Sequence, residues 1–202
     1  MERPMGFYNR DELPALGLRR WGNNVLISRK ASIYNPTAIE LGNSVRIDDF
    51  CVLSAGREGI SIGDFVHVAV FSSLIGNGHI ALDDYVNISS RVSIYSSNDD
   101  YSGRTLTNPM VPADLAGVGA APVRCGRHVI VGSGSVILPG VTVGDGAAVG
   151  ALSLVKHDCE SFGMYAGVPA RRLGDRRRDL LDLEKIHRAR LTDHDGTPSP
   201  TA

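Results

Sequence analysis

Aliphatic residues recur every six positions through most of the chain, and this period decides what it can fold into. They run Leu41, Ile47, Leu53; Ile62, Val68, Leu74; Leu82, Ile88, Ile94; Cys125, Val131, Ile137; and Val143, Val149, Val155. A period of six suits neither an α-helix at about 3.6 residues per turn nor a strand of period about 2. It fits a triangular coil in which three short strands each send one aliphatic side chain inward and then turn a corner. Stacked coils lay like residue over like and bond backbone to backbone between coils. Each set opener is followed by a small or turn-forming residue, Gly42, Gly63, Asp83, Gly126 or Gly144, and then often by Asp, as at Asp64, Asp84 and Asp145. Glycine is expected at corners because positive φ costs it little. A Gly-rich β-sandwich would reach fifteen aligned positions only by accident.

The expected fold is therefore all-β: a left-handed parallel β-helix, with its clearest coils over residues 41–155 and its full extent over 25–173. Residues 25–38, with Ile27, Ile33 and Ile39, read as a worn first coil. Residues 1–24, with Leu13, Leu16, Leu18 and Trp21, suit a cap over its open end, which would otherwise expose unpaired backbone. Breaks fall at Arg57-Glu58-Gly59, at Gly78-His79 and, much longer, over 95–123, a polar, Pro-punctuated loop of the kind that carries function. A helix is expected over 174–190, with Leu180, Leu183 and Ile186, together with Leu173 just before it, on its apolar side, and a disordered tail over 191–202.

Composition removes several classes of partner. No run approaches the ~18 apolar residues of a membrane span. Twenty-one basic residues against 22 acidic ones, with the one basic cluster at Arg171–Arg178 free of aromatics, speak against nucleic acid. The N-terminal residues lack the order of a secretion signal, so a cytoplasmic protein is expected. Cys51, Cys125 and Cys159 are an odd number without metal-ligand spacing and read as reduced packing residues.

Residues 129–151, VIVGSGSVILPGVTVGDGAAVGA, and the later Ala166-Gly-Val-Pro-Ala-Arg resemble the hexapeptide-repeat acyltransferases. Within them the likeness is to the branch of galactoside O-acetyltransferases and nucleotide-sugar N-acetyltransferases. The resemblance implies a homotrimer with acetyl-coenzyme A as co-substrate in the groove between neighbouring coils, and no metal. It places Ser133 and Ala151 against the pantetheine arm and Lys156 with Arg171 or Arg172 near the phosphates. Small residues let that arm lie close, and Arg suits a fork-shaped phosphate contact.

One position departs from the family. Galactoside acetyltransferases carry a catalytic histidine after the coil that precedes the loop, and here Asp99 stands in its place. Transfer to an alcohol needs a group that takes the hydroxyl proton, whereas an amine is nucleophilic once neutral, so the change shifts weight toward an amino-sugar acceptor. The candidate bases are His79, read as lying one coil beneath Asp99 and oriented by it, His67 from the adjacent strand, the corner residue His128, and Asp99 or Asp100 acting alone. Asp100, Tyr101, Arg104 and Asn108 in the long loop supply hydrogen bonds and a stacking ring for a carbohydrate acceptor, whether sugar, sugar nucleotide or glycosylated small molecule. Two other readings stay open: a non-catalytic trimeric scaffold or degenerate acyltransferase, and a γ-carbonic-anhydrase-like zinc enzyme, whose histidine spacing His67, His79 and His128 do not reproduce.

Overall fold

The computed structural model describes residues 6–195 and is a left-handed parallel β-helix with one helix at its C-terminal end. The coil has three faces. The first is built from Ile39–Leu41, Ile60–Ile62, Ile80–Leu82, Val123–Cys125 and Thr142–Val143. The second holds Leu26–Ile27, Arg46–Ile47, His67–Val68, Asn87–Ile88, Ile130–Val131 and Ala148–Val149, and the third Ser32–Tyr34, Val52–Ala55, Ser73–Gly76, Ser93–Tyr95, Val136–Ile137 and Leu154–Val155.

The hexad residues stack as columns. Leu41, Ile62, Leu82, Cys125 and Val143 pair in register on the first face. Ile47, Val68, Ile88, Val131 and Val149 do so on the second, and Leu53, Leu74, Ile94, Ile137 and Val155 on the third. All fifteen are buried, so one continuous apolar core runs along the axis. Ile27 and Ile33 extend two of the columns, pairing with Ile47 and Leu53. Ile39 does not close that first coil. It pairs with Ile60 and opens the next one, two residues before Leu41.

The corner glycines serve a different purpose from the one expected. A Cβ on Gly42 would stand 2.4 Å from Asp64 Oδ1, one on Gly63 2.6 Å from Asp84 Oδ1 and one on Gly126 2.2 Å from Asp145 Oδ1. These carboxylates accept hydrogen bonds from the coil below, Asp64 from Asn43 N at 2.6 Å, Asp84 from Asp64 N at 2.9 Å and Asp145 from Arg127 N at 3.1 Å. Glycine is thus required by close approach, and Asp two residues later by an otherwise unpaired amide. Positive φ at this corner falls instead on Asn24, Ser44, Phe65, Tyr85 and His128, at 53° to 61°. Stacking offsets that strain: Phe65 lies 4.9 Å from Tyr85, and Tyr85 4.8 Å from His128.

All three breaks leave the coil between the third and first faces. The longest one departs after Tyr95, whose strand still pairs in the coil, and returns at Val123. Within it Ser97–Asp99 and Val118–Ala120 form an antiparallel arm. At the other end Leu13 and Leu18 are buried over the first coil and Tyr8 N donates to Ile27 O. Of the N-terminal segment, residues 1–5 lie outside the described residues.

The C-terminal region differs from expectation. Gly163–Gly167 joins the second face and pairs antiparallel with Ala170–Asp175, so the helix begins later, at Leu180, and continues to Asp195 through part of the expected tail. The rest of that tail, 196–202, lies outside the described residues. Leu183 is 65% exposed, and Ile186 and Leu173 also face outward. The helix docks instead through Glu184, 8% exposed, which accepts from Arg127, from His128 Nε2 at 2.6 Å and from Arg188 Nε at 2.6 Å. His187 adds a hydrogen bond with Tyr85 Oη at 3.0 Å. A charged network replaces the apolar seam because the corner beneath is lined by Arg127 and His128. No helix among the described residues is long and apolar enough to cross a membrane.

Candidate active site

Asp99 ends the outgoing strand of the arm, opposite Val118, and its exposed carboxylate has no hydrogen-bond partner among the described residues. A cleft of roughly 590 Å³ follows the arm, lined by Asp99, Asp100, Tyr101, Arg104, Thr105 and Val118. Four of the residues read from the sequence therefore meet there. Tyr101 is 92% exposed, which leaves its ring free to stack. Asn108 lies in a neighbouring groove with Asp99 and Pro109, where its Oδ1 accepts from Met110 N at 3.0 Å.

Asp100 is already engaged within the loop. Its Oδ1 accepts from Ser102 N at 2.8 Å, and its Oδ2 from Arg104 N at 2.9 Å and Thr105 N at 3.1 Å. Hydrogen bonding from Ser102, with Thr105 and Arg104 adding to it, holds this carboxyl down at about 2. Asp100 therefore shapes the arm that presents Asp99 and Tyr101, and has little capacity left for a sugar.

His79 does not lie beneath Asp99. Its carbonyl accepts from Val123 N at 2.8 Å, which puts it at the start of the first face, under the returning end of the loop. Its ring points to the coil below, where Nδ1 donates to Glu58 O at 2.9 Å and Nε2 accepts from Ser61 Oγ at 2.9 Å. Both nitrogens are used to pin the Arg57-Glu58-Gly59 break, and neither reaches Asp99. His128, a corner residue, is 11% exposed and sealed against Glu184. His67 stands on the second face, with Nε2 bonded to Asp48 Oδ2 at 2.8 Å. The three histidines thus belong to three separate networks.

Ser133 and Ala151 fall in one exposed column at the corner between the second and third faces, above Ser90, whose Oγ lies 3.2 Å from Ser133 Oγ. Beside them runs a parallel column, Ala69, Ser89, Gly132 and Gly150, linked by coil-to-coil backbone bonds. Here too close packing demands glycine, since a Cβ on Gly132 would lie 2.4 Å from Ala151 N. Lys156 is exposed just beyond the end of the third face, and Arg171 is exposed on the closing hairpin. Arg172 is tied to Asp175 at 2.5 Å and Glu160 at 3.4 Å. The corner thus offers a narrow floor of small residues with Arg171, unpaired among the described residues, at its C-terminal end, while Lys156 stands at the opposite edge of the third face, above Leu138.

Sequence reasoning passed over Asp48 and read Ser89 as an ordinary corner residue. The one available signal was the coil period of about twenty residues, which places Asp48 diagonally beneath His67 once the breaks are assigned.

No protein-family model matches the chain. It is 50% identical over 182 residues, 90% of its own length and 95% of the relative's, to a dTDP-4-amino-4,6-dideoxy-D-glucose acyltransferase of Escherichia coli. It is 30% identical over 137 residues to the galactoside O-acetyltransferase of the same species, covering 60% of this chain and 63% of that one. Among solved structures it matches an N-acyltransferase from Bacillus cereus, in complex with dTDP and 3-hydroxybutyryl-coenzyme A, at 42% identity and a TM-score of 0.88, over 93% of this chain and 98% of that one. That protein has also been solved with one aspartate changed to Asn or Ala, and with a serine ten residues earlier changed to Ala, Cys or Thr. On this identity across nearly the whole of both chains, the protein belongs to the hexapeptide-repeat acyltransferases, in the branch of the dTDP-4-amino-4,6-dideoxy-D-glucose acyltransferase, and takes its acyl group from a coenzyme A thioester.

Proposed function

We propose that the enzyme acylates the amino group of a dTDP-linked 4-amino-4,6-dideoxyhexose. The observation that carries this reading is Asp99, a free carboxylate where O-acetyltransferases of the family hold a histidine. A carboxylate is a poor base toward a hydroxyl but binds an ammonium and orients the amine once its proton has passed to solvent. Ser89 and Asp99 stand ten residues apart, matching the spacing of the altered serine and aspartate in the Bacillus enzyme. The small-residue corner takes the pantetheine arm, with Arg171 toward the phosphates and Lys156, on the Asp99 edge, reaching them from the next protomer.

Within one chain Ser89 and Asp99 lie at opposite edges of the third face, with strand Ser93–Tyr95 between them. The outer side of that face carries Val52, Ile75, Tyr95, Val136, Leu138 and Leu154 with the small Ser54, Ser73 and Ser93 among them, whereas the first face carries Glu40 and Arg124 outward. Turning three apolar faces to a threefold axis makes a homotrimer and brings the Ser89 edge of one protomer beside the Asp99 arm of the next. Three reduced cysteines fit work in the cytoplasm.

The test follows thiol release from acetyl- and 3-hydroxybutyryl-coenzyme A with dTDP-4-amino-4,6-dideoxyglucose and its 4-hydroxy counterpart. Turnover with the amine alone is expected, and Asp99→Asn should abolish it. Transfer to the hydroxyl sugar at an equal rate would overturn the reading. Co-expressed Ser89→Ala and Asp99→Ala chains should regain activity through mixed clefts, and no recovery would place both residues in one protomer's site.

A further inference from the structure

We infer that His67, held in place by Asp48, carries the proton during acyl transfer. This rests on the amine-acylation reading above and assigns a second group to the same cleft. Strand Arg46–Ile47 lies under His67–Val68, with Arg46 directly below His67. Asp48 follows that strand and bridges the two: its Oδ1 accepts from Arg46 Nε at 2.7 Å, and its Oδ2 lies 2.8 Å from His67 Nε2. An ionised carboxylate only accepts, so Nε2 carries the hydrogen and a neutral ring presents Nδ1 as a bare lone pair. No group among the described residues bonds Nδ1.

Exposure follows the same division. The Asp48 side chain is 17% exposed and that of His67 41%, so the orienting group is shielded while the ring is open. Of histidines 67, 79, 128 and 187, only His67 and His128 pair with a carboxylate and have no partner on the second nitrogen among the described residues. His128 is 11% exposed beneath the helix and stacked on Tyr85, so His67 is the open one. The groups facing it are Arg46 and Asp48 from the coil below and the uncharged Asn87 from the coil above. Lys30 and Asp49, at the next corner, pair with each other at 2.9 Å.

Position brings this ring to the reaction. Asp48 continues, one coil lower, the column of Gly150, Gly132, Ser89 and Ala69. From Gly150 to Ala69 is three coil steps of about 4.8 Å, or ~14 Å, a span for a pantetheine arm whose phosphates sit near Arg171. The thioester then ends at Ala69, one step below Ser89, with His67 beside it. The amine nitrogen closes on the thioester carbon, the carbonyl π pair moves to oxygen, and the nitrogen gives a proton to Nδ1. As the carbonyl re-forms, the carbon–sulfur pair leaves on sulfur, and the imidazolium returns the proton to it. Amine and thioester become amide and thiol with no net proton exchanged. His67 touches the reacting atoms; Asp48 is a positioning residue.

His67→Gln and Asp48→Asn are compared with wild type, using acetyl-coenzyme A and dTDP-4-amino-4,6-dideoxyglucose, with coenzyme A affinity measured by calorimetry. His67→Gln should lower kcat by roughly 10²- to 10⁴-fold at unchanged coenzyme affinity. It should also make the acid-side fall of the kcat–pH profile shallower, from two protonations to the amine's own one. Asp48→Asn should lie between it and wild type and keep the steeper fall. A His67→Gln enzyme within about twofold of wild type, while Asp99→Asn is inactive, would remove His67 and leave the acceptor reading intact. So would a loss confined to coenzyme binding or folding. A wild type inert toward this amine would sink the acceptor reading and this inference with it.

Discussion

Changing Glu184 to Gln should release the C-terminal helix while leaving the coil intact. Glu184 is the one buried side chain among the described side chains of that helix, and three donors converge on its carboxylate. Burial by itself would raise its pKa. The hydrogen bonds from Arg188 and His128 and the charge of Arg127 override this and hold it at about 2, against an ordinary 4.5. At ~1.4 kcal/mol per unit, that difference is worth about 3 kcal/mol to the docked helix. A depressed carboxyl contributes its full stabilisation above its free value near 4.5, and loses it as pH falls through that window toward about 2. Amide hydrogen exchange separates helix from coil. In Glu184→Gln, protection over Leu180–Asp195 should drop on the order of 100-fold, with strands such as Asn87–Ile88 unchanged. The same helix amides in wild type should stay protected down to about pH 4.5 and loosen below it. Unchanged helix protection in the variant would refute the reasoning, as would an equal loss throughout the coil.

His79→Ala removes two hydrogen bonds that pin a break, about 1–2 kcal/mol, and should lower Tm by roughly 2–6 °C with turnover within about twofold. Thermal melts and steady-state kinetics check it together. Asp100→Ala withdraws the carboxylate that organises the arm and should raise KM for the acceptor far more than that for the coenzyme. In wild type the arm's order should persist above about pH 4 and fade toward about 2, read from Tyr101 fluorescence. Gly42→Ala pushes a methyl against Asp64 and the backbone of Gly63, and should cost about 1–3 kcal/mol by denaturant unfolding. Ile75→Asp on the third face should yield monomers by sedimentation while the β-sheet circular dichroism is kept.

The sequence by itself determined which side chains face inward. With one aliphatic residue per short strand, the period of six and the three-sided coil are the same statement, so the fifteen columned residues were legible without coordinates. Ile39 was assigned to the wrong coil because Ile39 and Leu41 both point inward, and alternation by two looks like a continued period of six over one step. The arm was legible too, as polar, Pro-punctuated chain that no core could use, and Asp99, Tyr101 and Arg104 do line one cleft on it.

Tertiary structure alone decided which outward groups meet. Whether His79 points up toward the arm or down toward Ser61 depends on the exact corner at which each break leaves the coil, and one residue of shift reverses it. The His67–Asp48 pair follows from coil stacking across nineteen residues. The Glu184–His128 pair spans fifty-six and joins a helix to a corner that no periodicity links. Burial is a property of each residue's own place in a repeating pattern and can be read locally. Partnership depends on two places at once, and only the folded chain brings them together.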